Sequence, residues 1–121
     1  MLTYRTNRHW EEATVQTWDT KELDVQPHHP QVLHSDDEGR TIVIHLPAGE
    51  ELQEHRVHER SWVMVVEGEI ELQSAGGTVK GGPGFLAHIE PKEDNEIRAV
   101  SDARLVMVLA PWPGDGHPSR G

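Results

Sequence analysis

Cysteine is absent from this chain of 121 residues. That one absence removes disulfides, thiolate metal sites and a cysteine nucleophile together. Long apolar runs are missing too. No segment approaches the roughly 18 apolar residues that a membrane-crossing helix needs, and the opening MLTYRTNRHWEE is polar, with no apolar targeting core. The expectation is a cytoplasmic protein without a membrane partner. Basic charge is scarce: 11 Lys and Arg stand against 21 Asp and Glu, a formal charge of -10. The basic residues form no stripe, so a phosphate backbone would be repelled and no nucleic-acid partner is expected. The acidic balance itself reads as solubility.

Several catalytic patterns are also missing. Ser61 has no glycine elbow around it, which argues against a hydrolase nucleophile. Gly81-Gly82-Pro83-Gly84 precedes no helical pattern and cannot cradle a phosphate. Glu67, Glu69 and Glu71 alternate and read as a solvent face, while Glu54 and Glu59 read as surface partners of Arg56 or Arg60. No residue is assigned a catalytic role.

What is present is a series of short strands punctuated by turns. Residues 1–30 lack sustained periodicity and end in Gln26-Pro27-His28-His29-Pro30, where proline forbids a helix. They read as an irregular arm that packs Trp10 and Trp18 onto the domain. From Gln31 the strands follow at Gln31–His34, Thr41–Leu46, Ser61–Val66, Glu69–Gln73, Phe85–Ile89, Glu96–Val100 and Arg104–Ala110, with a Gly76-Gly77 hairpin turn between. Turns about every ten residues and no helical pattern indicate an all-β sandwich or barrel over residues 31–110. Residues 111–121, rich in proline and glycine, form an irregular tail that Trp112 pins to the body. One domain is all that this length supports.

Histidine is abundant, with nine residues. His9, His28, His29, His34 and His117 read as surface or turn residues. His45, His55, His58 and His88 sit in or beside strands and carry the argument.

Pro47 to Glu71, PAGEELQEHRVHERSWVMVVEGEIE, runs turn, histidine pair, apolar strand, Glu-Gly turn and alternating strand. This layout resembles the first signature of the cupin family: Gly, five residues, His-x-His, three or four residues, Glu, six residues, Gly. Gly49, His55 and Gly68 fit it. Ser61 stands where the family carries Glu, and the second histidine is shifted to His58, leaving Val57 at the family position. The family's second signature is Gly, five residues, Pro-x-Gly, two residues, His, and the stretch from Gly84 to Pro91 is similar to it. Counting from Gly84 puts Asn95 at the family's histidine; counting from Pro91 puts Glu96 there. Asn95 is preferred, because Ile97 and Ala99 then continue an inward face.

The resemblance implies a cupin-type jelly-roll β-barrel, a double-stranded β-helix, in a small single-domain form. It also implies a divalent transition metal held by three imidazoles and a carboxylate. Here the family's ligand positions read His55, Val57, Ser61 and Asn95, too few donors to compete with water for such an ion. Two readings stay open. In the first, the barrel mouth binds a small molecule without metal or catalysis, as a binding or sensing module, in a pocket lined by His55, Ser61, Val63 and Asn95. In the second, a bulge turns His55 and His58 inward together and His45 or His88 adds a third imidazole, giving a metal-dependent oxygenase or isomerase. Several strands are apolar on both faces, so the surplus apolar surface should meet a second copy in a homodimer. The competing cover is the arm and tail of the same chain.

Overall fold

The structure, a computed structural model, describes residues 15–52 and 58–114. Eight strands follow one another: β1 (Gln31–Asp36), β2 (Gly39–Leu46), β3 (Arg60–Glu67), β4 (Ile70–Ser74), β5 (Gly77–Gly81), β6 (Leu86–Ile89), β7 (Asn95–Ala99) and β8 (Ala103–Ala110). They form two antiparallel sheets, in the orders β1-β2-β8-β3-β6 and β5-β4-β7. The stretch from Gly49 to Leu52 extends the second sheet along β7. Gly49 N–H donates to Ala99 O at 2.8 Å, Leu52 N–H donates to Ile97 O at 2.8 Å, and Glu51 bridges Arg98.

Strand alternation sends every second residue inward. In β3 the buried positions are Ser61, Val63 and Val65; in β8 they are Ala103, Leu105, Met107 and Leu109. With Ile44, Leu46, Ile70, Ile89, Ile97 and Ala99 these make one continuous core between the sheets. Each large aliphatic side chain buried there contributes about 1.5–3 kcal/mol. Gly68 makes the sharp β3–β4 turn possible. Its φ is 79°, and a Cβ there would collide with the Asp102 carbonyl oxygen.

The arm lies on the outside of β2 and β8. Arg104 Nη1 donates to Thr20 O at 2.8 Å and Leu23 O at 2.6 Å, and His45 Nδ1 lies 3.2 Å from Val25 O. Val25 is buried, as is Val43, which shares the outer side of β2 with His45. Part of the apolar surplus on β2 is therefore covered from within the chain. Trp18 keeps 38% of its surface exposed, and Trp10 lies outside the described residues. At the other terminus, Trp112 packs against the core, its ring stacks under the Arg40 guanidinium at 4.2 Å, and its backbone N–H donates to Asp37 O at 3.4 Å.

Candidate functional site

Position along the barrel axis follows from register. The Gly68 turn joins the end of β3 to the start of β4, so Ser61 lies at the end of the barrel far from that turn. Ser61 stands opposite Leu109 on β8 and Ile89 on β6. Asn95 stands opposite Ser74, where β4 ends, and so lies at the same end. Ser61 and Val63 share the inward face of β3, each 1% exposed. Asn95 is half-buried and by alternation shares a face with Ile97 and Ala99; its Nδ2 donates to Glu93 O at 3.1 Å. An open hollow of about 570 Å³ adjoins it, lined by Gln73, Ser74, Ala75, Asp94, Asn95 and Glu96.

Backbone conformation bears on the choice between Asn95 and Glu96. Counted from Gly84, the pattern's second glycine falls on Lys92; counted from Pro91, it falls on Glu93. Lys92 is the residue held at a left-handed φ, 63°. That conformation matches the count ending at Asn95.

The Ser61 hydroxyl is the chemical anomaly of the interior. Its Oγ is fully buried in an aliphatic wall and has no hydrogen-bond partner among the described residues. Leaving such a group unsatisfied costs about 1–3 kcal/mol. Two residues earlier, Glu59 is also buried, at 1% exposure. Its Oε2 accepts the Gly114 N–H at 2.7 Å across 55 residues of sequence. Gly114 is required there, since a Cβ would collide with the His58 carbonyl oxygen. Glu59 is therefore no surface partner of Arg60. That role falls to Glu90, whose Oε1 accepts from Arg60 Nη2 at 2.9 Å and whose carboxyl is held below its ordinary range, chiefly by that hydrogen bond.

The other histidines separate. His45 faces outward, bound to the arm through Nδ1, with Nε2 3.6 Å from Asp102 Oδ2. His88 also faces outward: its ring lies 4.4 Å from that of Trp62, its register partner on β3, and its Nδ1 is 3.7 Å from Glu90. The expectation that one of them completes an inward triad meets this geometry directly, because the strand faces that carry them look away from the core. His58 is half-buried in the bend before β3; His55 and Val57 lie outside the described residues. No group of three or more His, Cys, Asp or Glu arranged to hold a metal ion occurs among the described residues. A serine hydroxyl, a carboxamide and a carboxylate already engaged by Gly114 do not fit the family's metal.

Glu59 is the residue that sequence reasoning missed. Its neighbours Arg56 and Arg60 suggested a surface ion pair. The available signal was its parity with Ser61 and Val63, which continues the inward face by one more position.

Comparison with known proteins agrees with this architecture. The sequence profile described as "Cupin domain" matches residues 42–111. An RmlC-like cupin protein from Desulfovibrio desulfuricans superposes with a TM-score of 0.69 at 20% identity, covering 81% of this chain and 98% of its own. An uncharacterised conserved protein with a double-stranded β-helix domain from Klebsiella pneumoniae gives 0.70 at 22% identity, over 86% of this chain and 95% of that one. An RmlC-like cupin family protein from Methanocaldococcus jannaschii gives 0.69 at 17% identity, over 82% and 93%. No curated protein sequence matches the chain. At these identities the structural likeness establishes the fold.

Proposed function

The chain belongs to the cupin family, and from that premise we propose that its barrel is a metal-independent compartment that binds a small molecule at the end holding Ser61, Glu59 and Asn95. The observation that carries this reading is the buried Ser61 hydroxyl, unsatisfied among the described residues, on an otherwise aliphatic wall. A ligand polar atom placed against Oγ would recover the desolvation cost that the ligand-free protein bears. Aliphatic walls with a few placed polar groups are the usual make-up of small-molecule sites. Val63 supplies apolar contact, Asn95 a carboxamide at the rim, and His55 belongs to the same proposed lining. The function is binding or sensing within the cell, with no reaction assigned.

The rival reading, a metal-dependent oxygenase or isomerase built from His55 and His58 with His45 or His88, loses support from the outward placement of the last two. Metal analysis of protein purified without an affinity tag separates the readings. The binding-module reading expects no stoichiometric transition metal and no thermal stabilisation by zinc, nickel, manganese or iron(II). One equivalent of bound metal per chain would establish the rival.

A further inference from the structure

A second cavity, of about 330 Å³, lies at the opposite end of the barrel from Ser61. The β1–β2 ladder stops at Gln31↔Val43, so Ile44, His45 and Leu46 continue β2 without β1 alongside. Those residues stand opposite Leu105, Arg104 and Ala103 on β8, whereas Ser61 stands opposite Leu109. The cavity occupies the seam thus left open, between the edge of β2, the Gln26–Pro30 turn of the arm and the Glu50–Leu52 stretch beside β7.

Its composition is specific. Ile44, Leu46, Leu52 and Pro30 make an apolar floor, and imidazoles and carboxylates make the rim. His28 is held at a left-handed φ of 66°, a conformation that costs free energy in a side-chain-bearing residue. That turn sets its Nε2 3.3 Å from Glu50 Oε1. Glu51 and His29 also line the cavity, and neither side chain makes a hydrogen bond or ion pair among the described residues. Neutral imidazole offers an acceptor nitrogen, and carboxylates offer negative charge. No Lys or Arg lines the cavity; Arg98, the bridge partner of Glu51, directs its guanidinium to Glu71 at 3.0 Å, and the chain as a whole is acidic.

We propose that this seam is a binding site for a small organic amine, with its ammonium group between Glu51, Glu50 and His29 and its hydrocarbon body on Ile44, Leu46 and Leu52. The ammonium supplies three donors to a rim rich in acceptors, and the apolar floor excludes water from one side of the ion pair. The site lies at the other end of the same core from Ser61 and carries its own recognition chemistry.

Benzylamine is a suitable probe, with benzyl alcohol and phenylacetate as neutral and anionic controls of similar shape, titrated by calorimetry at neutral pH and mapped by amide chemical shifts. Saturable benzylamine binding is expected, with shifts centred on residues 28–30 and 44–52 and no binding of phenylacetate. Glu51→Gln should weaken the amine at least tenfold, while Ser61→Val, in the other compartment, should leave it unchanged. Glu51 is exposed, so its replacement should keep the fold, which the amide spectrum verifies. Equal binding of benzyl alcohol, indifference to Glu51→Gln, or absence of saturable benzylamine binding would each overturn the site. Loss of amine binding in Ser61→Val would place it in the barrel and overturn the proposal as well.

Discussion

At the scale of single residues, polar groups inside the barrel are few, and each has a distinct consequence. Removing the Ser61 hydroxyl takes away a buried group whose desolvation is uncompensated among the described residues, so Ser61→Ala should stabilise the ligand-free protein by about 1 kcal/mol in urea melts. A destabilisation would reveal a partner for that hydroxyl. Glu59→Ala should act in the other direction. It orphans the Gly114 N–H and opens space beside a buried bend, for a loss of about 2 kcal/mol by the same measurement. Exposed carboxylates behave differently. Hydrogen bonding to Arg60 lowers the Glu90 pKa, and hydrogen bonding to His34, then to the Glu38 N–H, lowers that of Asp36. A carboxyl whose folded pKa lies below its unfolded one stabilises the fold above the unfolded value, and that contribution disappears as pH falls through the folded value. Acid titration followed by NMR should therefore show Glu90 and Asp36 ionising below the ordinary carboxylate range, with Glu90 returning to it in Arg60→Gln. An unchanged Glu90 titration in that variant would contradict the assignment.

Elements were legible in the sequence where local pattern and tertiary environment coincide. The apolar run Ser61–Val66 became β3, with Ser61, Val63 and Val65 inside and Trp62 and Met64 outside, as two-faced alternation requires. The hairpin at Gly76-Gly77 and the turn at Gly68 followed from glycine chemistry. β5, Gly77–Gly81, carries little strand signal of its own: it is exposed along most of its length and exists through its pairing with β4. Glu59 and the seam cavity were less legible still. The inward parity of Glu59 with Ser61 and Val63 was readable, but its Gly114 partner and the arm turn that closes the seam are distant in sequence, and local periodicity holds no record of such approaches. The same dependence explains the outward turn of His45. Its strand parity was readable, but the arm backbone that receives its ring lies 20 residues away. The β3–β4 turn offers the sharpest test at this scale. Gly68→Ala adds a Cβ against the Asp102 carbonyl at a φ that side-chain-bearing residues avoid, and should cost about 3 kcal/mol in a denaturant melt. A loss below 1 kcal/mol would mean that the turn relaxes freely.

For the whole molecule, two surfaces of the five-stranded sheet have different fates. The inner one is the barrel core. On the outer one, the arm covers the region of Val43 and His45, while Trp62, Met64 and Leu86 remain 43%, 42% and 55% exposed. Trp62 stands opposite Val108 on β8, and Met64 opposite both Val106 on β8 and Leu86 on β6, so these side chains form one apolar patch. We propose that a second copy covers it in a two-fold homodimer. Light scattering at micromolar concentration should return twice the chain mass, and Met64→Glu should return a monomer. A wild-type monomer would withdraw the dimer and leave the barrel account intact.

That account rests on ligand occupancy of the Ser61 end, and one measurement reaches it most directly: parallel thermal-shift screening of the wild-type protein and Ser61→Val against a library of small polar metabolites, without added metal. At least one compound should raise the wild-type melting temperature by several degrees and leave Ser61→Val unmoved. Equal shifts in both proteins, or stabilisation that appears only when a divalent metal is added, would contradict a metal-independent compartment built around Ser61.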